Sequence, residues 1–144
     1  MSIWYTDLTP EQLNASGKNT MGDFLDIKIT EVGQDFLKAT MPVTSKNVQP
    51  MRLLHGGASV VLAETLGSVA SWIIHDPNTI NGAVGVEVNA NHLKSAKEGE
   101  TVTGVVKPIK VGRNIHVWDI KIYNSSDELC CVSRLTTMIL HKKS

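Results

Sequence analysis

The sequence lacks an excess of charge of either sign. Its 144 residues include 14 lysines and arginines and 14 aspartates and glutamates, so the formal net charge is zero. Binding to nucleic acid generally requires a basic surface, and we therefore expect no nucleic-acid partner. The charge is uneven, however, because residues 92–115 carry five basic and two acidic side chains. This local excess indicates either a site for a small anionic ligand or an ordinary solvated face.

Cysteine is scarce, and the two cysteines present, Cys130 and Cys131, are adjacent. Neighbours on a strand point to opposite faces, so a disulfide between them would be strained. We interpret both as reduced thiols in a cytoplasmic protein. The sequence has no CxxC or HExxH pattern, so we expect no metal. The GxSxG, GxGxxG and Walker motifs are missing as well, which excludes several common enzyme classes.

A long hydrophobic run without charge is also missing. The most apolar segment, residues 53–75, is interrupted by His55, Glu64 and several small polar residues. A carboxylate in the middle of a membrane helix is costly, so we expect no membrane span. Residues 1–7 lack the basic stretch and apolar run that are typical of a signal peptide.

The length fits a single domain, residues 1–144, whose core needs neither disulfide nor metal. Thr9, Pro10 and Gln12 predict a short helix that begins with a capping box. The twenty residues from Gly56 to His75 are apolar on nearly all sides, which predicts a long helix buried in the core. Alternation or valine-rich composition predicts six strands, at residues 25–29, 37–43, 84–90, 101–111, 115–123 and 129–140.

Short connections between these strands favour a mostly antiparallel sheet. The simplest arrangement is an α+β fold in which the curved sheet wraps around the long central helix. The open edges of such a sheet favour dimerisation. In residues 115–123 the apolar phase shifts from Ile115 and Val117 to Trp118, which predicts a bulge in that strand.

Glu64 is the only formal charge in residues 53–75. Its neighbours one turn away on the helix are all uncharged, so it does not belong to a solvated polar face. We interpret Glu64 as a functional carboxylate. The alternative is that its stripe of the helix is simply exposed.

The segment His55-Gly56-Gly57 precedes the long helix. Backbone N–H groups at a helix start lack partners within the helix, and glycine lets a carbonyl oxygen approach them closely. This predicts an oxyanion site, unless the glycines only permit a tight turn. Gly56 and Glu64 lie about 12 Å apart along the helix axis, so one copy cannot easily offer both groups to one carbonyl. Two antiparallel copies could, and we therefore predict a site between subunits.

Other polar residues allow two interpretations each. Gln49 could orient water or the substrate carbonyl, or it could fill a turn. His92 could bind a ligand or merely end a strand. The segment from Lys110 to Asn114 could hold phosphate or form an ordinary polar hairpin.

The chain resembles the hotdog-fold acyl-CoA thioesterases, in the branch of the phenylacetate-pathway (PaaI-like) thioesterases and the 1,4-dihydroxy-2-naphthoyl-CoA hydrolases. The resemblance covers nearly the whole chain and rests on the segments "LTPEQLN", "ATMPV", "LLHGGASVVLAETLGSVA", "NANHLKSAKEG" and "CCVSRLTT". It implies the hotdog fold, hydrolysis without a cofactor, and a homodimer or a homotetramer built as a dimer of dimers. Close relatives carry Phe-Gly after Gln-Pro, whereas this chain has Met51-Arg52.

Roles for individual residues follow from the resemblance. It implies that Glu64 is the general base or the nucleophile and that the Gly56 N–H donates to the thioester oxygen. Gln49 and His55 would position thioester and water, and Ser68 would contribute a hydroxyl from the facing subunit. Substrate and CoA contacts are implied for Gly85, His92, Leu93, Lys94, Ser95, Lys110, Val111, Gly112, Arg113, Asn114 and Ile115.

We therefore predict an enzyme that hydrolyses an aromatic acyl-CoA, with no nucleic-acid or membrane partner. The first candidate substrate is 1,4-dihydroxy-2-naphthoyl-CoA, which would place the protein in menaquinone biosynthesis. A phenylacetyl-type or broad-range acyl-CoA is the second. Two alternatives remain: a non-catalytic acyl-CoA-binding module, and a dehydratase or hydratase that pairs His55 with Glu64.

Overall fold

The structure, a computed structural model, describes residues 1–143. Across these residues the chain forms three helices and six strands. In chain order they are α1 (Pro10–Ser16), α2 (Met21–Phe24), β1 (Lys28–Val32), β2 (Leu37–Pro42), α3 (Gly56–Ile73), β3 (Ile80–His92), β4 (Thr101–Val111), β5 (Ile115–Tyr123) and β6 (Leu129–His141).

The six strands form one sheet in the order β1-β2-β4-β5-β6-β3, with every neighbouring pair antiparallel. Helix α3 contacts β2, β3, β4, β5 and β6. One straight helix can touch that many strands only where the sheet curves around it. The predicted α+β fold, a curved antiparallel sheet wrapped around one long helix, is confirmed.

The core lies between α3 and the concave face of the sheet. Leu62 and Leu66 of α3 are fully buried there. The helix approaches the sheet closely because two glycines leave room for leucine side chains. A Cβ on Gly67 would lie 2.4 Å from Leu135 Cδ2, and a Cβ on Gly104 would lie 2.7 Å from Leu66 Cδ1.

The chain before the sheet contains one helix that we predicted and one that we did not. Helix α1 begins with the predicted capping box of Thr9 and Gln12. Helix α2 was missed, although Thr20 caps it by accepting from the Asp23 N–H, as a threonine three residues before an acid commonly does. Asp26 then adopts a left-handed φ of 59°, so β1 begins at Lys28 and not at Leu25.

The predicted bulge in β5 is wrong. Buried and less buried residues alternate along the whole strand, with His116, Trp118, Ile120 and Ile122 facing the core. Ile115 and Val117 therefore face outward. The apolar pattern predicts a bulge only if the polar His116 faces outward, whereas its ring is fully buried. The register shifts lie elsewhere, in the facing strand β4 between Pro108 and Lys110, and in the pairing of β5 with β6 between Ile122 and Tyr123.

The His116 side chain is fully buried and belongs to a polar network at the end of α3. The centre of the network is the Ser71 hydroxyl, which lies 3.0 Å from His116 Nδ1 and 2.6 Å from Thr137 Oγ1 and accepts from Trp118 Nε1 at 2.7 Å. On its other side, His116 Nε2 lies 3.2 Å from His75 Nε2. Burial lowers the pKa of His116 to about 4 and also lowers the pKa of His75.

The prediction that α3 is buried on all sides is only partly right. The helix ends at Ile73, two residues before His75, and one of its faces is incompletely covered in the protomer. This face carries Val60, Val61, Glu64, Ser68 and Trp72, and its apolar members made the whole helix look like core. On the edge strand β3, Val84 and Val86 are also exposed despite their alternation.

Within residues 1–143, no helix combines the length and the apolar character needed to cross a membrane.

Candidate active site

A cavity of about 370 Å³ lies between the start of α3 and the segment that follows β3. We call it the His92 cavity. It brings together predicted site residues from three parts of the chain, namely Gln49, Gly56, His92, Leu93, Lys94 and Ser95. Residues that are distant in sequence and were selected for different reasons therefore line one concave surface.

Gly56 opens α3, and its N–H finds no acceptor among residues 1–143. The neighbouring Gly57 N–H is already used, because it donates to Nδ1 of the N-capping His55 at 2.8 Å. Since Nδ1 accepts, a neutral His55 carries its proton on Nε2. A Cβ on Gly56 would lie 2.8 Å from His92 Nε2, so glycine is what lets the histidine ring approach the helix start.

Gln49 fills a turn and also lines the His92 cavity. Its side-chain oxygen accepts from the Met51 N–H, and its backbone carbonyl accepts from the Arg52 N–H. Both interpretations of the sequence are therefore compatible with its position. The amide NH₂ is the part of this side chain that remains for a ligand.

Glu64 lies in a different depression, formed on the incompletely covered face of α3. This Glu64 cavity measures about 390 Å³ and also includes Ser68, one turn further along the helix. No lysine or arginine lines it, and Glu64 forms no ion pair within residues 1–143. Part of the carboxylate environment comes from β3, because a Cβ on Gly85 would lie 2.5 Å from Glu64 Oε2.

The structure therefore does not bring Gly56 and Glu64 together within one chain. Their separation of eight positions corresponds to about 12 Å of helix, and the two groups line separate cavities. A single chain offers the backbone donor in one place and the carboxylate in another.

The turn from Lys110 to Ile115 is also remote from the His92 cavity. Along β6, Ile115 pairs with Met138, whereas His92 pairs with Cys131. These positions are seven residues apart, or about 23 Å of strand. The turn is an ordinary hairpin, in which the Gly112 N–H donates to the Ile115 carbonyl and the Asn114 carbonyl accepts from Ile139. Val111 and Arg113 belong to the same hairpin.

The basic stretch carries less uncompensated charge than the sequence indicated. Lys94 Nζ lies 2.6 Å from a carboxylate oxygen of Glu128. The pair raises the pKa of Lys94 and lowers that of Glu128. Lys94 therefore does not present a free ammonium group at the His92 cavity.

Sequence reasoning missed five residues that line the His92 cavity, of which Ser59 and Cys130 carry a hydroxyl and a thiol; the others are Leu53, Leu54 and Ala96. Ser59 follows Gly56 by three residues on α3, which is a usable signal for a shared helix face. Cys130 and Cys131 are both buried free thiols, and only Cys131 belongs to the core cluster. This agrees with the expected alternation, and burial raises the pKa of both thiols.

Substituting alanine for Gly85 should displace the Glu64 carboxylate without disrupting the fold. The new methyl would come within 2.5 Å of Oε2, which is the mobile end of a flexible side chain. We expect kcat to fall by about 10- to 100-fold, as misplacement of a reacting group does, with little change in Tm. The control is Gly22→Ala, whose Cβ would meet Thr65 Cγ2 at an ordinary 3.8 Å. Equal kcat for the Gly85→Ala variant and the wild type would contradict the placement of Glu64.

Comparison with known proteins identifies the family. Residues 51–131 match the thioesterase superfamily. The chain is 51% identical over 138 residues to the 1,4-dihydroxy-2-naphthoyl-CoA hydrolase of Escherichia coli, covering 96% of this chain and 99% of that protein. It is 45% identical to the proofreading thioesterase EntH of Cronobacter sakazakii, over 96% of this chain and 98% of the relative.

A solved structure supports the same assignment. The crystal structure of a mutant of thioesterase PA1618 from Pseudomonas aeruginosa superposes with a TM-score of 0.94 at 45% sequence identity. The match covers 98% of this chain and all of the other. The chain therefore belongs to the thioesterase superfamily and is a thioester hydrolase with the hotdog fold.

Proposed function

We propose that the protein hydrolyses an aromatic acyl-CoA to the free acid and CoA, with 1,4-dihydroxy-2-naphthoyl-CoA as the first substrate. The 51% identical relative named for that reaction supports this choice. The observation that carries the proposed chemistry is the Gly56 N–H, which begins α3 without an acceptor among residues 1–143 and lines the His92 cavity. A phenylacetyl-type or broad-range acyl-CoA is the second candidate.

In the proposed mechanism the Gly56 N–H donates to the thioester carbonyl oxygen, which gains negative charge as the tetrahedral intermediate forms. The start of the α3 dipole adds to this stabilisation. Glu64 takes a proton from water, the water oxygen attacks the carbonyl carbon, the C–S bond breaks, and the departing sulfur receives the proton. Alternatively, Glu64 itself attacks and forms a mixed anhydride that water then opens.

The remaining polar groups position the reactants in this scheme. The Gln49 amide NH₂ and the His55 Nε2–H are donors near the helix start that can orient the thioester and water. Ser68 shares the Glu64 cavity and can hold a water beside the carboxylate. The scheme needs no cofactor, and within residues 1–143 no three His, Cys, Asp or Glu side chains form a cluster suited to a metal.

We propose that two copies complete each site. If two α3 helices pack antiparallel and cross near Val60, Gly56 of one copy comes beside Glu64 of the other, since both lie four residues from Val60. The incompletely covered face of α3 and the exposed Val84 and Val86 of β3 supply apolar surface for such a homodimer. Two dimers would form a homotetramer in which the Lys110–Ile115 turn of one copy can reach a CoA held by another.

We further propose that the protein acts in the cytoplasm, where CoA thioesters are made and consumed. Its two buried cysteines are unpaired thiols, as expected for a reducing compartment. With the dihydroxynaphthoyl substrate the reaction would be a step of menaquinone biosynthesis.

The substrate is tested by measuring the release of free thiol from a panel of aromatic and aliphatic acyl-CoA thioesters. We expect kcat/KM to be highest for 1,4-dihydroxy-2-naphthoyl-CoA. A higher value for a phenylacetyl-type or aliphatic thioester would contradict the proposed substrate. Binding of acyl-CoA in calorimetry without any thiol release would support the non-catalytic binding module instead.

Subunit mixing tests whether the site is shared. Glu64→Gln and Gly56→Val chains should each be inactive, yet co-refolding them should restore about a quarter of wild-type activity. Half of the dimers are then mixed, and each mixed dimer has one intact site out of two. Folding of each variant is checked by circular dichroism. A mixture that remains inactive would show that the two groups act within one chain or that the site lies elsewhere.

A further inference from the structure

The loop before α3 contains a residue in a conformation that glycine adopts more easily. Arg52 has a φ of 62°, in the left-handed region that a long side chain seldom occupies. Glycine adopts this conformation at little cost, whereas arginine does not. Something in this chain must therefore hold Arg52 in place.

The Arg52 side chain forms a two-point ion pair with Glu98. Nε donates to Glu98 Oε2 and a terminal guanidinium nitrogen donates to Oε1, both at 2.8 Å. The backbone joins the same two residues, because the Glu98 N–H donates to the Arg52 carbonyl at 3.2 Å. Such fork-to-fork pairs have a fixed geometry, unlike the single contacts of most surface lysines.

The two residues extend two chain segments that form walls of the His92 cavity, namely residues 49–54 and 92–96, although neither residue lines the cavity itself. Arg52 lies three residues after Gln49, and its N–H donates to the Gln49 carbonyl at 2.8 Å. Glu98 lies three residues after Ser95, on the segment that follows β3. Between them, the Leu54 N–H donates to the Ala96 carbonyl at 2.8 Å. The ion pair and these backbone hydrogen bonds together connect the loop that carries Gln49 to the segment that carries His92.

We infer that the Arg52–Glu98 ion pair is a positioning device that fixes the spacing of these two walls, and hence the placement of Gln49 and His92 about the Gly56 N–H. This inference rests on the proposed function for its kinetic consequence, but its structural part does not. Neither residue touches the reacting atoms.

The first test is kinetic. Arg52→Gly keeps the backbone conformation and removes the ion pair, so kcat should fall by about five- to tenfold with a smaller change in KM. Arg52→Lys retains the charge but cannot make both bonds, and it should restore part of the loss. Glu98→Gln should resemble Arg52→Gly, and the double variant should be no worse than either, because both remove the same contact. Effects that multiply in the double variant would overturn the inference.

The second test does not depend on activity. Amide hydrogen exchange at Leu54 and Glu98 should be several-fold faster in Arg52→Gly, while Tm changes by less than about 3 °C because glycine relieves the left-handed conformation. The matched control is Lys38→Gln, which removes an exposed ion pair with Glu31 of 2.9 Å on the β1–β2 hairpin. It should change neither exchange at these amides nor kcat.

Failure of the positioning role can be distinguished from failure of the proposed function. Wild-type kcat/KM and wild-type exchange in Arg52→Gly would overturn the positioning role, whatever the enzyme hydrolyses. If the wild type releases no thiol from any acyl-CoA, the proposed function fails, and the exchange experiment still decides whether the ion pair holds the two walls together.

Discussion

Replacing Glu64 with glutamine should lower kcat for acyl-CoA hydrolysis by about a thousandfold or more. General base catalysis by one side chain contributes roughly 10²- to 10⁴-fold, and loss of a nucleophile costs at least as much. Glutamine keeps the shape of the side chain but can neither take a proton from water nor form an anhydride. The fold should persist, because Glu64 forms no ion pair within residues 1–143 and is only half-buried in the protomer.

The measurement is thiol release at saturating substrate, with binding of a non-hydrolysable acyl-CoA analogue followed by calorimetry. Binding should remain within a fewfold of wild type, which separates loss of chemistry from loss of the site. Glu87→Gln is the matched control, because it makes the same substitution at a carboxylate that is exposed on the edge strand β3. A Glu64→Gln enzyme that retained wild-type kcat would remove the carboxylate from the mechanism.

Acidification should destabilise the protein through the buried His116. Its pKa is about 4 in the folded state, against 6.5 as the ordinary value. Above pH 6.5 the imidazole is neutral in both the folded and the unfolded chain, so it does not make the free energy of unfolding depend on pH. As the pH falls from 6.5 towards 4, only the unfolded chain takes up the proton, so the free energy of unfolding falls by about 1.4 kcal/mol per pH unit, or about 3 kcal/mol in all. His75 acts in the same direction because its pKa is also lowered.

Among the described residues around His116, only a hydrogen bond with the Gly112 backbone favours a positive charge on the ring, and burial outweighs it. The groups that face it are the Ser71 hydroxyl, Thr137, the Trp118 indole and His75, whose ring stacks on it at 5.1 Å. His141 lies beyond His75, edge-on at 6.1 Å, and adds a further potential cation. No carboxylate pairs with this group within residues 1–143.

Denaturant unfolding at pH 7, 6, 5 and 4.5 measures the effect. His116→Gln should be less stable than wild type at pH 7, but its free energy of unfolding should vary much less with pH. His92→Gln is the control because its ring is exposed, and it should keep the wild-type slope. Asp23 and Glu128, whose pKa values are lowered, contribute mainly below about pH 4.5, so they add to the loss of stability only at the acidic end of this window. Identical slopes for His116→Gln and wild type would refute the role of His116.

The sequence predicts secondary structure correctly where the local preferences of the residues agree with the way the elements pack in the fold. The capping box at Thr9, the hairpins and the long apolar helix are each specified by residues a few positions apart, and the structure has them. Helix α2 was missed because four residues give too short a pattern, although its cap at Thr20 was visible. The burial of His116 in β5 could not be predicted, since a polar side chain is stable in the core only if other residues satisfy its hydrogen bonds. Ser71 and Trp118, which do so, lie 45 residues before it and two residues after it.

The candidate site was harder to predict than the fold. Gln49, Gly56 and His92 were each identified from local features or from the family, but their meeting in one cavity depends on how β3 returns past the start of α3. The role of Arg52 could not be predicted, because its left-handed backbone and its partner at Glu98 emerge only when the two loops are folded together. The position of Glu64 on an open helix face likewise depends on what the sheet leaves uncovered.

The polar network centred on Ser71 limits which substitutions the core can accept. A hydroxyl offers one hydrogen and two lone pairs, and Ser71 uses its capacity on Trp118, His116 and Thr137. A change at any one of these positions leaves the others with an unmatched polar atom in a dry core. We therefore expect natural variants either to keep Ser71, His116, Trp118 and Thr137 together or to replace all four with apolar residues of similar total volume.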